Sequence, residues 1–438
     1  MRLALLPLLL LLGAAAPAPA HENCAVGTYA FANRDFIDVA AGAGEHLRWR
    51  RPDGTTGELS ETKEGRWTST YGWTGRPDGH RISFDCAHDL MRYDGRRAER
   101  IAFDVTETRF EVDGASLAGR LVMPKGNGAV PVVVLIHGAE HASARQDYAL
   151  QRMFPAAGVG VFVYDKRGTG ASTGQYTQDY ATLATDAIAA LHAARRMGGA
   201  RISRIGYQGG SQGGWVAPLA ARIEPVDFVI VSFGLAISVV AAEHELISAD
   251  LTRHGYGPEA IAKALEISQA VETLVDSNFQ TGYEELEQVR SRYQHEPWFG
   301  YVRGSFVGMI LDMSADQLRR EAPALAPNIS LYYDPQPVLR NLDVPQLWIL
   351  AEDDVVAPSA ETARRLGALA QSGLPITTAI FAGADHGMYR YELAPDGSRV
   401  STRAPDGYFP MMRDFIVSGR TAEQYDAKIV KPASDVSR

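Results

Sequence analysis

The chain has 438 residues, 46% of them hydrophobic and 22% charged, with a net charge of −9 at pH 7. That balance excludes a disordered or fibrous protein, and the negative sign argues against a broad nucleic-acid-binding surface. The two cysteines, Cys24 and Cys86, are joined by no Cys/His cluster at zinc spacing, so no metal is expected.

Met1–Ala20 reads as a secretory signal peptide. Arg2 precedes an apolar run, and Ala18-Pro19-Ala20 forms an A-x-A cleavage site. The run is too short to span a bilayer, and no later segment approaches ~20 uninterrupted apolar residues, so no stable membrane span is expected in the mature chain. A secreted or periplasmic protein meets an oxidising compartment, where Cys24 and Cys86 are expected to pair. The closed loop of about 62 residues is worth roughly 4 kcal/mol in the chain-entropy model.

Residues 21–105 read as a small antiparallel β domain. The strand candidates are His46–Arg51, Thr55–Leu59, Trp67–Trp73, Arg81–Cys86 and Ala98–Val105. Pro52-Asp53-Gly54, Asp78-Gly79 and Asp94-Gly95 supply the turns. Trp49, Trp67 and Trp73 read as its core, with a binding face as the alternative.

From residue 106 the pattern changes. Thr106–Val112 and Ser116–Met123 form a hairpin about Asp113-Gly114. Val130–Ile136, Val159–Tyr164, Arg204–Tyr207, Phe228–Phe233, Gln346–Leu350 and Thr377–Phe381 are compact apolar runs that fit buried parallel strands. Ala144–Ala156, Asp179–Arg196 and Gln212–Arg222 fit helices between them. The alternation predicts an α/β domain over 106–418, with a doubly wound, mostly parallel sheet. A long helical interval, about 235–340, breaks the alternation and reads as an inserted lid. Residues 419–438 form a polar tail.

Gly209-Gly210-Ser211-Gln212-Gly213 matches G-x-S-x-G between an apolar strand and a helical stretch. That context marks a strand-to-helix turn presenting Ser211 as a nucleophile. A serine hydroxyl needs a base, and the chain order Ser, acid, His is met downstream. Glu352, Asp353 and Asp354 follow one strand, and His386 follows the next. Asp354 or Asp353 is the expected acid. The oxyanion donors are expected to be the backbone amides of Gln212 and Ala139. Glu140 beside them is an unusual neighbour for a developing oxyanion. It either faces away or receives a cationic substrate group. Tyr164–Ser172 lacks the P-loop pattern and reads as a structural loop shaped by Asp165 and Arg167.

The segments Ile136–Ala139, Tyr164–Ser172, Gly209–Gly214, Ala351–Pro358 and Gly383–Gly387, in that order, resemble the α/β-hydrolase superfamily. The nearest likeness is to exported bacterial esterase-like members and the serine aminopeptidase group. The pattern of the hydrolases that this chain resembles, with a Pro four residues after the acid, selects Asp354 through Pro358. The resemblance implies a Ser211–Asp354–His386 triad, no metal, no cofactor and a lid after the sixth strand. Ala351 stands where the family usually has Gly, and Ala357 where Val is common. The expected activity is cleavage of a carboxylic ester through an acyl-enzyme, on a small-molecule ester or short peptide substrate. A serine exopeptidase of the aminopeptidase type, its amine site built from Glu140, Glu243 or Glu245, and an acyl-thioesterase are the alternatives. A non-catalytic envelope- or carbohydrate-binding protein is the alternative of another class. Phe279, Tyr293, Trp298, Phe299 and Phe306 are candidates for an acyl pocket in the lid.

Overall fold

The computed structural model describes residues 23–432, apart from 43, 45, 63–65, 325 and 423. The expected signal peptide at 1–20 lies outside the described residues, as does the end of the polar tail. Eight strands come first: β1 (Gly27–Phe31), β2 (Phe36–Ala41), β3 (Leu47–Arg50), β4 (Thr56–Glu61), β5 (Trp67–Thr70), β6 (Pro77–Asp85), β7 (Leu90–Tyr93) and β8 (Arg96–Arg100). Each pairs antiparallel with the next, and β8 closes on β1. Eight strands leave an interior that side chains just fill. Tyr29, Ile37, Val39, Leu59, Trp49 and Trp67 do so. Trp73 instead stays 39% exposed on the outside, with the Arg48 guanidinium 3.7 Å from its ring centre. The Cys24–Cys86 disulfide is present, with a Cα–Cα distance of 5.8 Å.

The alternation across 98–105 hides a change of sheet. β8 ends at Arg100, the Ile101 amide donates to the Thr28 carbonyl at 2.7 Å, and β9 (Phe103–Val112) turns away. β9 pairs with β10 (Ala115–Pro124) as the expected hairpin. After β11 (Val130–Ile136), the single helix expected over 144–156 is two: α1 (Ala144–Asp147) and α2 (Leu150–Ala156). The Gln151 side chain explains the break. Its amide donates to the carbonyls of Arg145 and Tyr148, at 3.0 and 2.9 Å, satisfying acceptors that a continuous helix would have paired.

The chain continues through β12 (Gly160–Tyr164), α3 (Tyr180–Gly198), β13 (Ile202–Gly210), α4 (Gly213–Ile223) and β14 (Val229–Ser232). The inserted helices are α5 (Val239–Arg253), α6 (Pro258–Asp276), α7 (Tyr283–Tyr293), α8 (Val307–Asp312), α9 (Ala315–Glu321) and α10 (Gln336–Arg340). Then follow β15 (Gln346–Ala351), α11 (Ser359–Gln371), β16 (Ile376–Phe381), a small sheet of β17 (Ala384–Asp385), β18 (Tyr389–Leu393) and β19 (Arg399–Ser401), α12 (Tyr408–Ser418) and β20 (Lys428–Val430).

The main sheet runs β20-β16-β15-β14-β13-β11-β12-β10-β9, with its six central strands parallel. This is the doubly wound sheet expected from the sequence. The central strands are buried nearly throughout, and successive side chains point to opposite, equally covered faces. Val132, Val134 and Ile136 face the core under α3, α4 and the lid, while Val133 and Leu135 face that under α2 and α12. The order reverses at β11, whose successors lie on opposite sides of it. Loops leaving the carboxyl ends of β11 and β13 therefore part to form a crevice, where open α/β sheets bind ligands. The end of the chain is not all loose polar tail, because β20 adds an antiparallel edge strand to β16. Among the described residues no helix is long and apolar enough to cross a membrane.

The barrel is docked on this sheet. Asp38 is fully buried and accepts from Arg152 Nε and Nη2, at 2.6 and 2.9 Å, and from the Thr28 hydroxyl at 3.0 Å. The turn between β3 and β4 presses on the loop before α12. The Ala404 amide donates to the Gly54 carbonyl at 2.9 Å, and a Cβ on Gly54 would meet the Ala404 oxygen at 2.2 Å. The Trp73 amide donates to the Ser401 carbonyl at 2.9 Å, and Trp73 packs edge-on against Tyr389 at 4.6 Å. Removing one partner of a buried ion pair strands the other charge, at a cost of about 3–5 kcal/mol. Arg152→Ala is expected to lose about that much in urea unfolding, and the paired change Asp38→Leu with Arg152→Met to recover most of it.

Candidate active site

Ser211 occupies the turn between β13 and α4 with φ +51°, a left-handed backbone that a serine adopts only under constraint. The turn is held because nothing larger than glycine fits beside it. A Cβ on Gly209 would lie 2.2 Å from the Gly213 carbonyl oxygen. The Ser211 amide donates to the Ser232 carbonyl at the end of β14, at 3.0 Å.

His386 leaves β17, and its Nε2 lies 3.2 Å from Ser211 Oγ. Its Nδ1 lies 2.9 and 3.1 Å from the two oxygens of Asp354. The Asp354 side chain is 1% exposed and accepts the amides of Val356 and Ala357, at 2.8 and 2.7 Å. That orients one edge of the carboxylate and leaves the other for His386. Of the three adjacent acids, Glu352 is exposed, and Asp353 receives the Tyr391 hydroxyl at 3.0 Å. Asp385, beside the histidine, accepts the His386 amide at 2.8 Å and pairs with Arg399 at 2.8 Å. The Phe233 ring sits edge-on to the imidazole at 5.1 Å and limits its rotation.

The loop after β11 completes the constellation. A Cβ on Gly138 would lie 3.3 Å from the Ser211 Cβ, so this backbone touches the serine. The peptides on either side of Ala139 are pinned from behind. Lys166 donates to the Gly138 carbonyl at 2.5 Å, and the Tyr176 hydroxyl to the Ala139 carbonyl at 2.5 Å. The N–H and C=O of one peptide point in opposite directions, so fixing the Gly138 oxygen fixes the direction of the Ala139 amide. Gln212 follows Ser211 at the start of α4, and its side-chain oxygen lies 3.4 Å from Lys166 Nζ. The structure thus gathers Ser211, His386, Asp354, Gln212 and Ala139 in one place.

Glu140 takes neither of its two expected courses outright. It lines the cleft, but the Tyr148 hydroxyl donates to it and His137 Nδ1 faces it at 3.6 Å. Burial raises its carboxyl, but these two partners outweigh burial and bring it down to about 2. His137 Nε2 accepts the Lys166 amide at 3.1 Å, so the proton sits on Nδ1, toward Glu140. Burial lowers the His137 pKa, with Glu140 opposing the shift. Burial also lowers Lys166 to about 8, with Glu140 partly opposing the shift.

Lys166, Tyr148 and Tyr176 are the contributors that sequence reasoning missed. Asp165 and Arg167 behave as expected. Asp165 accepts from Ser143 and Ala171 at 2.7 and 3.0 Å, and Arg167 is bidentate to Asp186. The one available signal for Lys166 was its place, a lysine at the carboxyl end of a wholly buried parallel strand.

Two chambers meet at Ser211. The larger, about 570 Å³, is lined by His386, Phe233 and Met412 and, from the barrel, by Arg50, Arg51 and Gly54. The smaller, about 260 Å³, lies under the lid and is lined by Gln212, Trp215, Leu235, Val275, Phe279 and Phe306. Of the lid aromatics singled out, Phe279 and Phe306 reach this chamber. Tyr293 and Trp298 pack on each other at 5.5 Å within the lid. Glu243 is fully buried and accepts the amides of Ser305, Phe306 and Val307, at 2.8, 3.1 and 2.8 Å, which caps α8. Glu245 lines a separate surface depression. Among the described residues no group of three or more His, Cys, Asp or Glu is arranged to hold a metal ion.

Residues 128–392 match the model of the family described as serine aminopeptidase, S33. Solved structures with similar folds include an acylaminoacyl peptidase of Pyrococcus horikoshii, 13% identical, covering 89% of this chain and 57% of its own, with a TM-score of 0.45. A proline iminopeptidase of Mycobacterium smegmatis is 16% identical, over 64% of this chain and 91% of its own, with a TM-score of 0.40. Brefeldin A esterase, a bacterial homologue of human hormone sensitive lipase, is 19% identical, over 66% and 70%, with a TM-score of 0.40. No curated protein matches the chain by sequence.

Lys166 generates two expectations for turnover of an ester reporter. Lys166→Met frees the Gly138–Ala139 peptide, and kcat should fall about 10- to 100-fold with little change in KM, bounded by the loss on removing an oxyanion donor outright. Lys166 carries its charge below pH about 8 and loses it above. That charge offsets Glu140 beside the oxyanion position, so wild-type kcat/KM should decline above pH about 8, and the Lys166→Met pH profile should lack that limb.

Proposed function

The chain belongs to the S33 serine aminopeptidase family, and on that premise we propose that it is a secreted or periplasmic serine hydrolase that cleaves carboxylic esters. The observation that carries the reading is the unbroken hydrogen-bonded series Ser211–His386–Asp354 at the junction of two chambers. Ser211 Oγ attacks the ester carbonyl carbon while His386 Nε2 takes its proton. Asp354 holds the imidazole in the tautomer with the proton on Nδ1 and stabilises the imidazolium. The amides of Gln212 and Ala139 receive the oxyanion. Collapse of the tetrahedral intermediate breaks the bond to the leaving oxygen, which takes the proton from His386. Water then attacks the acyl-enzyme with His386 again as base, the acid departs, and Ser211 regains its proton.

The leaving oxygen must lie toward His386 to be protonated. His386 lines the larger chamber and Gln212 the smaller one. The alcohol portion therefore occupies the larger chamber and the acyl portion the apolar one under the lid. The Cys24–Cys86 disulfide supports the exported location.

The family description favours one second reading, an aminopeptidase. Such an enzyme needs a free carboxylate for the substrate's amino group. Glu243 is consumed in capping α8, and Glu140 is held by Tyr148, which weighs toward the ester. Purified protein is expected to be labelled by a fluorophosphonate probe, to lose all labelling in Ser211→Ala and to lose most in His386→Ala. An unlabelled, folded wild-type protein would overturn the proposal. Asp354→Asn should cost about 10⁴ in kcat by disturbing the tautomer, and Asp353→Asn less than tenfold. Short acyl esters should be turned over faster than aminoacyl amides of the same size, and the reverse order would select the peptidase.

A further inference from the structure

Arg50 ends β3 and enters the larger chamber from the barrel side. It is half-buried, and its buried Nη1 has no hydrogen-bond partner among the described residues. That nitrogen is closed off from the chamber, but no carboxylate pairs with Arg50 among the described residues, so the charge of this lining residue is left to act on an anion that enters the chamber. The other charges nearby are engaged. Arg48 donates to the Gly72 carbonyl at 3.0 Å and pairs with Glu58 at 3.5 Å. Arg51 pairs with Asp35 and lies 3.8 Å from Asp53. Asp38, the cross-strand neighbour of Arg50, is occupied by Arg152 and Thr28. Burial chiefly, and then the charge of Arg50, lowers the Arg48 guanidinium to about 10 against the opposing charge of Glu58. Elsewhere in the chamber Glu140 is tied to Tyr148, and Asp147 is exposed, where water screens it. Met153, Phe233, Phe409 and Met412 make other stretches of the wall apolar.

Resting on the ester-hydrolase reading, we infer that Arg50 is a specificity-determining residue that receives an oxyanion, carboxylate or phosphate, carried on the leaving group of the substrate. The planar guanidinium edge matches both anions in geometry and charge. The barrel is then a recognition module as well as a packed neighbour, because it brings this cation to the chamber that His386 serves.

The test compares kcat/KM for butyrate esters of four meta-substituted phenols. These are 3-hydroxybenzoate, 3-hydroxyphenyl phosphate, neutral 3-hydroxybenzamide and cationic 3-(aminomethyl)phenol. At least one anionic ester is expected to exceed the neutral one by roughly tenfold or more in the wild type, the scale of one charge-assisted hydrogen bond. The order of the two anionic esters identifies carboxylate or phosphate. In Arg50→Gln the anionic-to-neutral ratio should fall to near one, and Arg50→Lys should keep part of it. Fluorophosphonate labelling checks that each variant retains a formed site; if Arg50→Gln fails that check, the ratio in Arg50→Lys decides. A wild-type ratio near one, or a ratio that survives in a labelled Arg50→Gln, overturns the assignment and leaves the hydrolase reading standing. Absence of both turnover and labelling sinks the hydrolase reading and the Arg50 assignment with it.

Discussion

The left-handed backbone at Ser211 is the constraint on which the cleft depends. It turns the chain from β13 into α4 within one residue, so the hydroxyl stands at the rim of the sheet instead of inside it. Such a conformation persists only where the surroundings over-determine it. Here they do, through the close passage of Gly209 against Gly213 and the Ser211 amide bonded to Ser232. The neighbouring strand β11 then delivers its own loop to the same spot, because the sheet order reverses there. Lys166, from the next strand over, ties that loop's carbonyl down. Three consecutive parallel strands thus share the work of placing a few atoms.

The barrel changes the character of this cleft. A doubly wound sheet with a lid leaves one side of its crevice open to solvent. In this chain the turn between β3 and β4 fills that side, and the main-chain bond from Ala404 to Gly54 seals the contact. The barrel also braces the hairpin that follows His386, through Trp73 against Tyr389 and Ser401. The base and the wall of the larger chamber are therefore fixed by the same docked body.

The sequence made the placement of the candidate site legible where the signal was local. Ser211 stands in a glycine-bracketed turn, and Asp354 and His386 each follow a buried strand, so short motifs carried them. The doubly wound sheet and the disulfide were equally readable, from apolar runs and from the expected export. Features that arise between distant segments were not. Arg50 is one of three arginines within residues 48–51, and nothing nearby in sequence says that the fold will leave it unpaired. Lys166 looked like part of a polar loop because its role lies with Gly138, in the loop after another strand. The break in 144–156 is set by a side chain capping the turn before it, which hydrophobic spacing does not record. Alternation over 98–105 ran smoothly through a switch from one sheet to another, since both sheets impose the same period of two.

The barrel's partners in the cleft lie at the far end of the chain. Asp53 meets Arg403 and Arg76 meets Glu392, separations of 350 and 316 residues. Contacts so distant form slowly, since a long loop must close before they are made. The barrel has a closed sheet, its own core and its own disulfide, so it is equipped to fold while the rest is still being synthesised. Residues 384–406 must then arrive before the crevice acquires its fourth side. The cleft is in this sense the last part of the molecule to mature, and a nascent chain that lacks only its final tenth would hold the serine without a finished place to use it.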